Sequence, residues 1–239
     1  MEKIFGKHSV RAVFLTRPSD IQRMIIAGKE SYHQEAITRA QANGIIPEFV
    51  DWPTFRKLGE FREDDKHQGI VVFSKPRQLF GERDLDILEQ GRCVLALDQV
   101  SNPQNFATIL RSAAFFGLDA VLVMKNRSVS LTPTVVRYAV GAAEYVKVFR
   151  VTNVSRALED LKSLGYWVYG MDEQGEKTVA QTDFGEKAVM VIGAEGEGLR
   201  DKTRRYCDAI VRIPGGREGV ESLNAGVAAT IAMAEFYRS

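Results

Sequence analysis

The sequence predicts an α/β protein, with a parallel sheet in its C-terminal part and a smaller α/β unit before it. Two observations support this fold class. From residue 93 onward, short apolar runs such as Cys93–Leu97 alternate with helical segments such as Phe106–Phe116, and polar or glycine-rich loops separate them. Continuous apolar strands are typical of sheets covered on both faces, and repeated strand–helix units predict parallel pairing.

The composition is that of an ordinary globular protein, since 45% of the 239 residues are hydrophobic and 26% are charged. The net charge of +1 gives no overall basic field, so affinity for nucleic acid must come from a local patch. Cys93 and Cys207 form no Cys-x-x-Cys pattern, which argues against a disulfide framework and a metal site. The sequence lacks a signal-peptide region and a membrane span, so we expect a cytoplasmic protein.

The first 75 residues predict a small α/β domain. We expect its helices over residues 8–15 and 31–42 and from Pro53, and its strands over residues 20–27, 46–50 and 69–73. Residues 76–90 are mostly polar, and we interpret them as a linker that carries a short helix. The second domain covers residues 91–239.

Predicted strands and helices alternate along the whole length of the second domain. We expect strands over residues 93–97, 120–124, 146–150, 166–169, 188–192 and 209–213. The predicted helices cover residues 106–116, 154–164, 202–207 and 222–237, and another begins at Pro133 with Thr132 as its N-cap.

A glycine-rich loop follows the strand over residues 188–192, with the sequence Gly193-Ala-Glu-Gly-Glu-Gly198. Its glycine order is neither the Gly-x-Gly-x-x-Gly of a dinucleotide site nor the pattern of a phosphate loop. The acidic residues Glu195 and Glu197 would repel a pyrophosphate. The loop therefore suits a neutral or cationic ligand, although a tight turn with glycines at positive φ would also account for it.

Two further segments place polar residues after strands. Asn105 and Arg111 lie at the start and on the second turn of the helix after the first strand, which puts Arg111 near the ligand-binding edge of an open sheet. The second segment has Ile213-Pro214 at a strand end and then Ser222-Leu-Asn224 at a helix start. An N-cap role would also explain Asn105 or Ser222, and Arg111 could be an exposed helix residue.

These three segments together resemble the three motifs of the SpoU–TrmH family of RNA 2′-O-ribose methyltransferases, in the SPOUT superfamily. The resemblance covers roughly residues 91–239. It implies a deep trefoil knot in the parallel-sheet domain and a homodimer. The N-terminal unit is similar to the substrate-binding domain of this family, through Gly6-Lys-His8 and His67-Gln68-Gly69.

The resemblance implies that S-adenosylmethionine is the methyl donor and that a ribose 2′-hydroxyl of tRNA or rRNA is the acceptor. The donor site would be lined by Gly193, Glu195, Gly198, Ile213 and Leu223. The family motif assigns catalysis to the arginine that matches Arg111. Because arginine stays protonated, we expect Arg111 to orient the acceptor and stabilise the forming alkoxide. The residues expected to hold the acceptor and the loops are Asn105, Glu195, Ser222 and Asn224.

The sequence departs from the family pattern at Ala107, at Gly215–Gly219 and at Ala225-Gly226, which puts the adenine pocket and acceptor preference in question. One other function stays open, a non-catalytic RNA-binding protein, whereas the glycine order and the acidic loop argue against a third, a plain nucleotide-binding protein. A non-catalytic RNA-binding member of the fold would bind the donor without transfer, and a plain nucleotide-binding protein would bind nucleotides tightly. The N-terminal unit would present the RNA through basic residues, unless these form only a solvated face; they are Arg11, Arg17, Arg23, Lys29 and Arg39.

Overall fold

The computed structural model describes residues 1–126, 128–194, 196, 198–215 and 222–238. The chain forms two compact units. Unit 1 comprises Met1–Gln78 together with Val140–Tyr145, and unit 2 comprises Leu79–Ala139 with Val146–Ser239. Each unit has its own sheet and its own buried core.

Unit 1 is an α/β unit built around a mixed sheet. Its elements are β1 (Glu2–Phe5), α1 (Lys7–Thr16), β2 (Ile21–Ala27), α2 (Gln34–Ala42), β3 (Glu48–Val50), α3 (Trp52–Gly59) and β4 (Ile70–Ser74). Within the described residues the sheet has the order β1-β4-β2-β3. Strand β4 runs antiparallel to β1 and β2, whereas β2 and β3 are parallel.

The sequence predicts no strand at the start of this unit, where the structure has β1. Strand β1 is four residues long and only Ile4 within it is fully buried, so its alternation is too short to be recognised. The strand expected over residues 20–27 is β2, which lies between β4 and β3. The helix predicted over residues 31–42 is a 3-10 turn over Glu30–His33 followed by α2.

A network of ion pairs joins sequence-distant parts of unit 1. The Glu144 carboxylate lies 2.7 Å from the guanidinium of Arg17 and 2.9 Å from that of Arg77, and only 2% of its side chain is exposed. Glu2 pairs with the same two arginines at 2.8 Å each. Burial alone would raise the pKa of Glu2, but the hydrogen bonds and charges of Arg77 and Arg17 outweigh it and lower that pKa.

Unit 2 contains a parallel sheet with helices on it. Its strands are β5 (Cys93–Leu97), β6 (Ala120–Met124), β7 (Lys147–Val151), β8 (Trp167–Met171), β9 (Lys177–Thr178), β10 (Ala188–Ile192) and β11 (Ala209–Arg212). Its helices are α4 (Pro103–Phe116), α5 (Pro133–Ala139), α6 (Val154–Ser163), α7 (Asp201–Arg204) and α8 (Ala225–Arg238). A 3-10 helix over Glu82–Leu88 precedes β5.

Every strand pair recorded for the sheet of unit 2 is parallel, as the sequence predicts. The order is β7-β6-β5-β10-β8-β11-β9 in the described part of the chain. Strand β10 follows β8 in sequence but lies between β5 and β8. Strand β11 then pairs with the far side of β8, and α8 packs on α4 and contacts β10. All residues of β5 and β10 are buried.

Two helices of unit 2 begin elsewhere than predicted. Helix α4 begins at Pro103, because the Asn102 side chain caps it by accepting from the N–H groups of Gln104 and Asn105. Asn105 is therefore not the N-cap, and Arg111 lies on the third turn. Helix α8 begins at Ala225, so Ser222 is not in it. None of the described helices is long and apolar enough to span a bilayer.

We expect Glu144→Gln to lower the free energy of unfolding of unit 1 by about 2–4 kcal/mol, because two buried arginines lose a charged partner. Urea denaturation followed by circular dichroism measures this change. Glu235→Gln is the matched control, since its partner Arg238 is exposed and such pairs contribute little. An equal loss in both variants would contradict a structural role for the network.

The same network makes stability depend on pH. The pKa of Glu2 is lowered on folding, so its contribution is present above the ordinary value of 4.5 and is lost as the pH falls below it. We therefore expect the free energy of unfolding to decrease from pH 5 toward about pH 3. The decrease should be smaller in Glu2→Gln, and an unchanged pH profile in that variant would be evidence against the linkage.

Candidate functional site

The loops that carry the predicted site residues leave the sheet of unit 2 at one edge. Strands β5, β10, β8 and β11 are consecutive neighbours and parallel, so their carboxyl ends point the same way. The loops after β5, β10 and β11 contain the three sequence segments. The carboxyl edge of a parallel sheet is the usual place for a ligand in an open α/β fold.

The glycine loop after β10 closes on itself. The N–H of Ala194 donates to the carbonyl of Gly198 at 3.1 Å, and the N–H of Gly198 donates back to the carbonyl of Ala194 at 3.0 Å. A Cβ atom at Gly193 would lie 2.1 Å from the Gly198 carbonyl oxygen. Gly196 and Gly198 adopt φ of 81° and 66°. The glycines thus serve both a tight turn and a close backbone approach.

The acidic residue Glu195, predicted for both donor and acceptor binding, lies outside the described residues, as do Glu197 and residues 216–221. The part of the loop that is described presents backbone rather than charged side chains. Its following residue, Leu199, is 5% exposed and packs in the core of unit 2. The loop is therefore anchored on both sides, by β10 and by Leu199.

An ion pair between the buried Asp98 and the half-buried Arg200 joins this loop to the segment after β5. Asp98 follows β5 directly and is fully buried, and Arg200 pairs with both of its carboxylate oxygens, one of them 3.1 Å from Nε. The backbone N–H of Asp98 also donates to the carbonyl of Ile192, at 2.8 Å. The next residue, Gln99, has a φ of 66°, which is uncommon outside glycine. The first and second segments are thus joined.

A second acidic residue stands at the same edge, after β8. The ideal Cβ position of Gly198 lies 3.6 Å from a carboxylate oxygen of Asp172. Asp172 also forms an ion pair of 3.3 Å with Arg204. The sequence analysis did not single out Asp98, Asp172 or Arg200. A weak signal existed for Asp98 and Asp172, because each directly follows a strand, where a charge is costly without a partner. Arg200 follows no strand directly and had no such signal.

The first and third segments meet through two asparagines. The Nδ2 of Asn224 donates to the Oδ1 of Asn105 at 2.9 Å, and Asn105 is 6% exposed. The Oδ1 of Asn224 accepts from the N–H groups of Gly226 and Val227, at 2.9 and 3.3 Å. Asn224 therefore caps α8 and also holds Asn105, which explains an asparagine at this position better than a role inside the helix.

Small residues allow the two helices to carry these asparagines close together. A Cβ added at Gly226 would lie 3.3 Å from Cβ of Thr108, so α8 packs tightly on α4 there. Farther along, the hydroxyls of Ser112 and Thr230 are 2.7 Å apart. Gly226 is one of the departures from the family pattern, and the structure uses it as a packing contact.

The remaining predicted residues lie farther along α4, just before α8 and after β11. Arg111 is exposed, roughly 9 Å along α4 from Asn105 at 1.5 Å per residue. Within the described ranges it forms no hydrogen bond or ion pair. Ser222 and Leu223 are exposed, and Ile213 is half-buried after β11. The structure thus brings Asn105 and Asn224 together through a hydrogen bond, and Arg111 lies about two turns farther along α4.

Catalysis by a cysteine nucleophile and catalysis by a bound metal ion find no support among the described residues of unit 2. Burial raises the pKa of the Cys207 thiol to about 12, so it stays protonated and is a poor nucleophile. Burial also raises the pKa of Cys93. Among the described residues, no group of three or more histidine, cysteine, aspartate or glutamate side chains is placed to hold a metal ion.

Comparison with known families matches both parts of the chain. The model of the SpoU rRNA methylase family matches residues 92–234. The model described as RNA 2′-O ribose methyltransferase substrate binding matches residues 3–80. These ranges contain the three motif segments and the elements β1 to β4, respectively.

Similar curated proteins match along almost their entire length. The chain is 38% identical to the 23S rRNA (guanosine-2′-O-)-methyltransferase RlmB of Pseudomonas aeruginosa, over 99% of this chain and 96% of that protein. It is 34% identical to the protein of the same name from Escherichia coli K12, over 99% and 98%.

A solved structure agrees with this relationship. The SpoU methyltransferase AviRb of Streptomyces viridochromogenes, in complex with the cofactor AdoMet, has 25% sequence identity and a TM-score of 0.74. The match covers 99% of this chain and 89% of that one.

The Asn224 side chain gives a direct test of the site geometry. Asn224→Ala removes the cap of α8 and the bond to Asn105, so we expect a loss of about 1–2 kcal/mol in the free energy of unfolding. Asn224→Asp keeps a side-chain oxygen that can cap α8 but lacks the N–H that donates to Asn105. We therefore expect it to retain α8 and to lose only the hydrogen bond to Asn105. Chemical denaturation measures both variants. If Asn224→Asp destabilised as much as Asn224→Ala, the cap would not be the main contribution.

Proposed function

The chain belongs to the SpoU rRNA methylase family, and we propose that it methylates the ribose 2′-hydroxyl of a guanosine in 23S ribosomal RNA. The observation that carries this proposal is the 38% identity to an enzyme named for that reaction, over 99% of this chain and 96% of the relative. Convergence of the three motif segments at one sheet edge supports it independently. The enzyme acts in the cytoplasm, where its substrate is assembled.

S-Adenosylmethionine is the methyl donor, and the residues at the sheet edge fit it. The donor is a nucleoside joined to a sulfonium amino acid, without a phosphate. The closed glycine loop offers backbone groups of Gly193 and Gly198 at close range, while Ile213 and the exposed Leu223 supply apolar side chains for an adenine. Arg200 is held by Asp98, so it does not make the edge an anion site. Glu195 completes the proposed donor set.

The reaction forms a bond between the ribose oxygen and the methyl carbon as the carbon–sulfur bond breaks. The proton of the hydroxyl passes to solvent water, and the sulfonium becomes a neutral thioether. The chain's own residues act mainly by position. Asn105 and Asn224 join the beginnings of α4 and α8, and Ser222 stands exposed just before Asn224. Holding both reactants in alignment supplies a large part of the rate.

Arg111 is the residue that we assign to acceptor orientation and charge stabilisation. Its guanidinium is exposed and, in the described part of the chain, engages no carboxylate, so it is available to a phosphate or to a developing alkoxide. It lies about two helical turns from the asparagine pair. A site completed across a dimer would accommodate this distance, with Arg111 of one protomer serving the other.

A homodimer is supported by exposed aromatic residues on α4, which carries Arg111, and on α8. Phe115 lies four residues farther along α4, on the same face, and is 83% exposed. Tyr237 on α8 is 71% exposed, and its ring contacts Phe116 of α4 with centroids 5.8 Å apart. Exposed aromatic side chains on neighbouring helices are typical of an interaction surface. We propose that the dimer covers this α4–α8 face.

We also propose that unit 2 contains the trefoil knot that the resemblance implies. Such topologies are rare, so spacing alone does not suggest one. The strand order supports it, because β10 enters between β5 and β8 after both have formed along the chain. Strand β11 then lies beyond β8, and α8 returns across to α4.

Methyl transfer from labelled S-adenosylmethionine to 23S rRNA, taken from cells that lack the protein, tests the function. We expect label in 2′-O-methylguanosine after digestion to nucleosides. Label in a methylated base would contradict ribose transfer. Donor binding without label in any RNA would instead favour a non-catalytic RNA-binding protein, and tight binding of a nicotinamide or triphosphate nucleotide would favour a plain nucleotide-binding protein.

We expect Arg111→Ala to lower kcat by about 10²- to 10³-fold, because a preorganised donor to the developing charge is lost. The affinity for S-adenosylmethionine, measured by calorimetry, should stay near that of the wild type. Arg111→Lys should recover part of kcat. Arg156→Ala on α6 is the matched control for an exposed helix arginine, and equal losses of kcat and donor affinity in Arg111→Ala would exclude the proposed role.

We expect Gly193→Ala to weaken donor binding, because the new methyl group collides with the Gly198 carbonyl and the loop must open. Such overpacking costs about 1–3 kcal/mol, which corresponds to a Kd about 5- to 150-fold higher. Gly196→Ala in the same loop is the matched control, since nothing lies within 4 Å of its Cβ position and only its φ of 81° is strained. Calorimetry should find the larger effect at Gly193; the reverse order would contradict the collision.

A further inference from the structure

We propose that unit 1 binds one unstacked nucleobase of the RNA, with its phosphate, in a pocket formed by Trp52, Arg56 and His67. The inference rests on the proposed function, because it takes RNA as the substrate. A cavity of about 670 Å³ is lined by these three residues and Pro53. This size falls within the usual range for small-ligand sites, and all four residues belong to unit 1.

Trp52 supplies an aromatic surface on a rigid support. Its indole lies against the backbone at Gly28 and Gly69, where an added Cβ would come within 3.2 and 3.1 Å of the ring. The residue nevertheless remains 44% exposed. It is the first residue of α3, whose N-cap is Asp51 with a 2.8 Å bond from the N–H of Thr54. The exposed indole is therefore fixed in place rather than free to move.

His67 adds a neutral ring with a hydrogen-bond donor. Its ring lies 4.6 Å from that of Phe61, 5.0 Å from that of Phe55 and 5.9 Å from that of Trp52. Nδ1 accepts from the N–H of Gly69 at 3.1 Å, so the neutral ring carries its proton on Nε2. Burial, and then the charge of Arg56, lowers the pKa of His67, which keeps the ring neutral at pH 7.

Arg56 supplies the positive charge. It is exposed on α3 and, within the described ranges, pairs with no carboxylate. The arginines that the sequence suggested for RNA differ in this respect. Arg11 and Arg39 pair with Glu35, and Arg23 pairs with Glu48 through two 2.7 Å bonds. The side chain of Arg17 is largely buried in the ion-pair network, so it belongs neither to an RNA face nor to a solvated one.

Together these groups match a single-stranded nucleotide. A base stacks on an exposed indole, an imidazole N–H donates to a base or sugar acceptor, and a free guanidinium binds the adjoining phosphate. A base paired inside a duplex cannot reach a side-chain ring in this way. The pocket therefore selects an unpaired segment of the RNA, and a peptide partner would lack the phosphate that Arg56 is placed to bind.

Intrinsic fluorescence tests this inference directly, because Trp52 and Trp167 are the two tryptophans of the chain. In the full-length Trp167→Phe protein, emission reports Trp52 alone. We expect a single-stranded hexanucleotide of adenosine to quench it saturably, whereas a duplex of equal length or an abasic strand should not. Absence of quenching by the single strand, or equal quenching by the duplex or by the abasic strand, would overturn the inference.

Substitutions show which residues of the pocket contribute to the binding of single-stranded RNA. We expect Trp52→Ala to raise the Kd for the single strand about 5- to 150-fold, the loss typical of one stacked base, and Trp52→Phe to raise it less. Arg56→Gln should weaken binding and reduce the slope of log Kd against log salt by about one. Tyr145→Ala is the control, since Tyr145 is a similarly exposed aromatic of unit 1 that does not line the pocket. If Tyr145→Ala raised the Kd as much as Trp52→Ala does, the proposed pocket would be contradicted.

Methyl transfer separates this inference from the proposed function. With 23S rRNA, Trp52→Ala should raise KM and leave kcat at saturating RNA close to the wild-type value. If the wild type is active but Trp52→Ala and Arg56→Gln both keep the wild-type KM for RNA, the pocket is refuted and the proposed function stands. Quenching by single-stranded RNA in a protein that transfers no methyl group would support the pocket and refute the enzyme. If peptides but not single-stranded RNA quenched the emission of Trp52, a nucleotide would be refuted as the ligand of this pocket.

Discussion

The turn after β10 can close only because Gly193 has no side chain. The Gly198 carbonyl occupies the space where a Cβ would stand, and the reciprocal hydrogen bonds between Ala194 and Gly198 depend on that approach. The position of Leu199 in the core, and of Arg200 against Asp98, follows from the closed turn. A single backbone contact thus determines how the loop after β10 meets the loop after β5.

The other half of the site is held by polar contacts over long sequence separations. The buried Asp98 pairs with the half-buried Arg200 at the sheet edge, and the asparagines at 105 and 224 join the beginnings of α4 and α8. Each pair satisfies groups that would be costly to leave unpaired. Because the partners come from different loops, the geometry of the edge depends on all the loops being in place at once.

Local signals predicted much of this fold. The strands over residues 93–97, 120–124 and 188–192 have the bounds that their apolar runs indicate, because burial on both faces leaves a continuous pattern. The sequence motifs singled out Asn105 and Asn224, and the structure joins these two residues by a hydrogen bond. Helix starts were less accurate, since Asn102 and Asn224 compete with other capping residues nearby.

What the sequence could not provide are contacts between distant residues. Arg200 and Asp98 are 102 positions apart, and nothing local pairs them. Arg17 looked like a surface residue by its type, yet a carboxylate 127 positions away neutralises it. The strand β1 was missed because four residues carry too little alternation, and its place is set by pairing with β4. These features depend on tertiary structure, which local propensity does not report.

The inclusion of Val140–Tyr145 in unit 1 has a consequence for dividing the chain. A fragment that ends at residue 78 would contain every strand of the first sheet but would lack Glu144, leaving Arg17 and Arg77 without one of their two shared carboxylates. The complementary fragment would keep Glu144 but lack both arginines that neutralise it. Expression boundaries drawn in the segment after β4 would therefore separate charges that pair in the whole chain, although the sheet of unit 1 is contiguous in sequence.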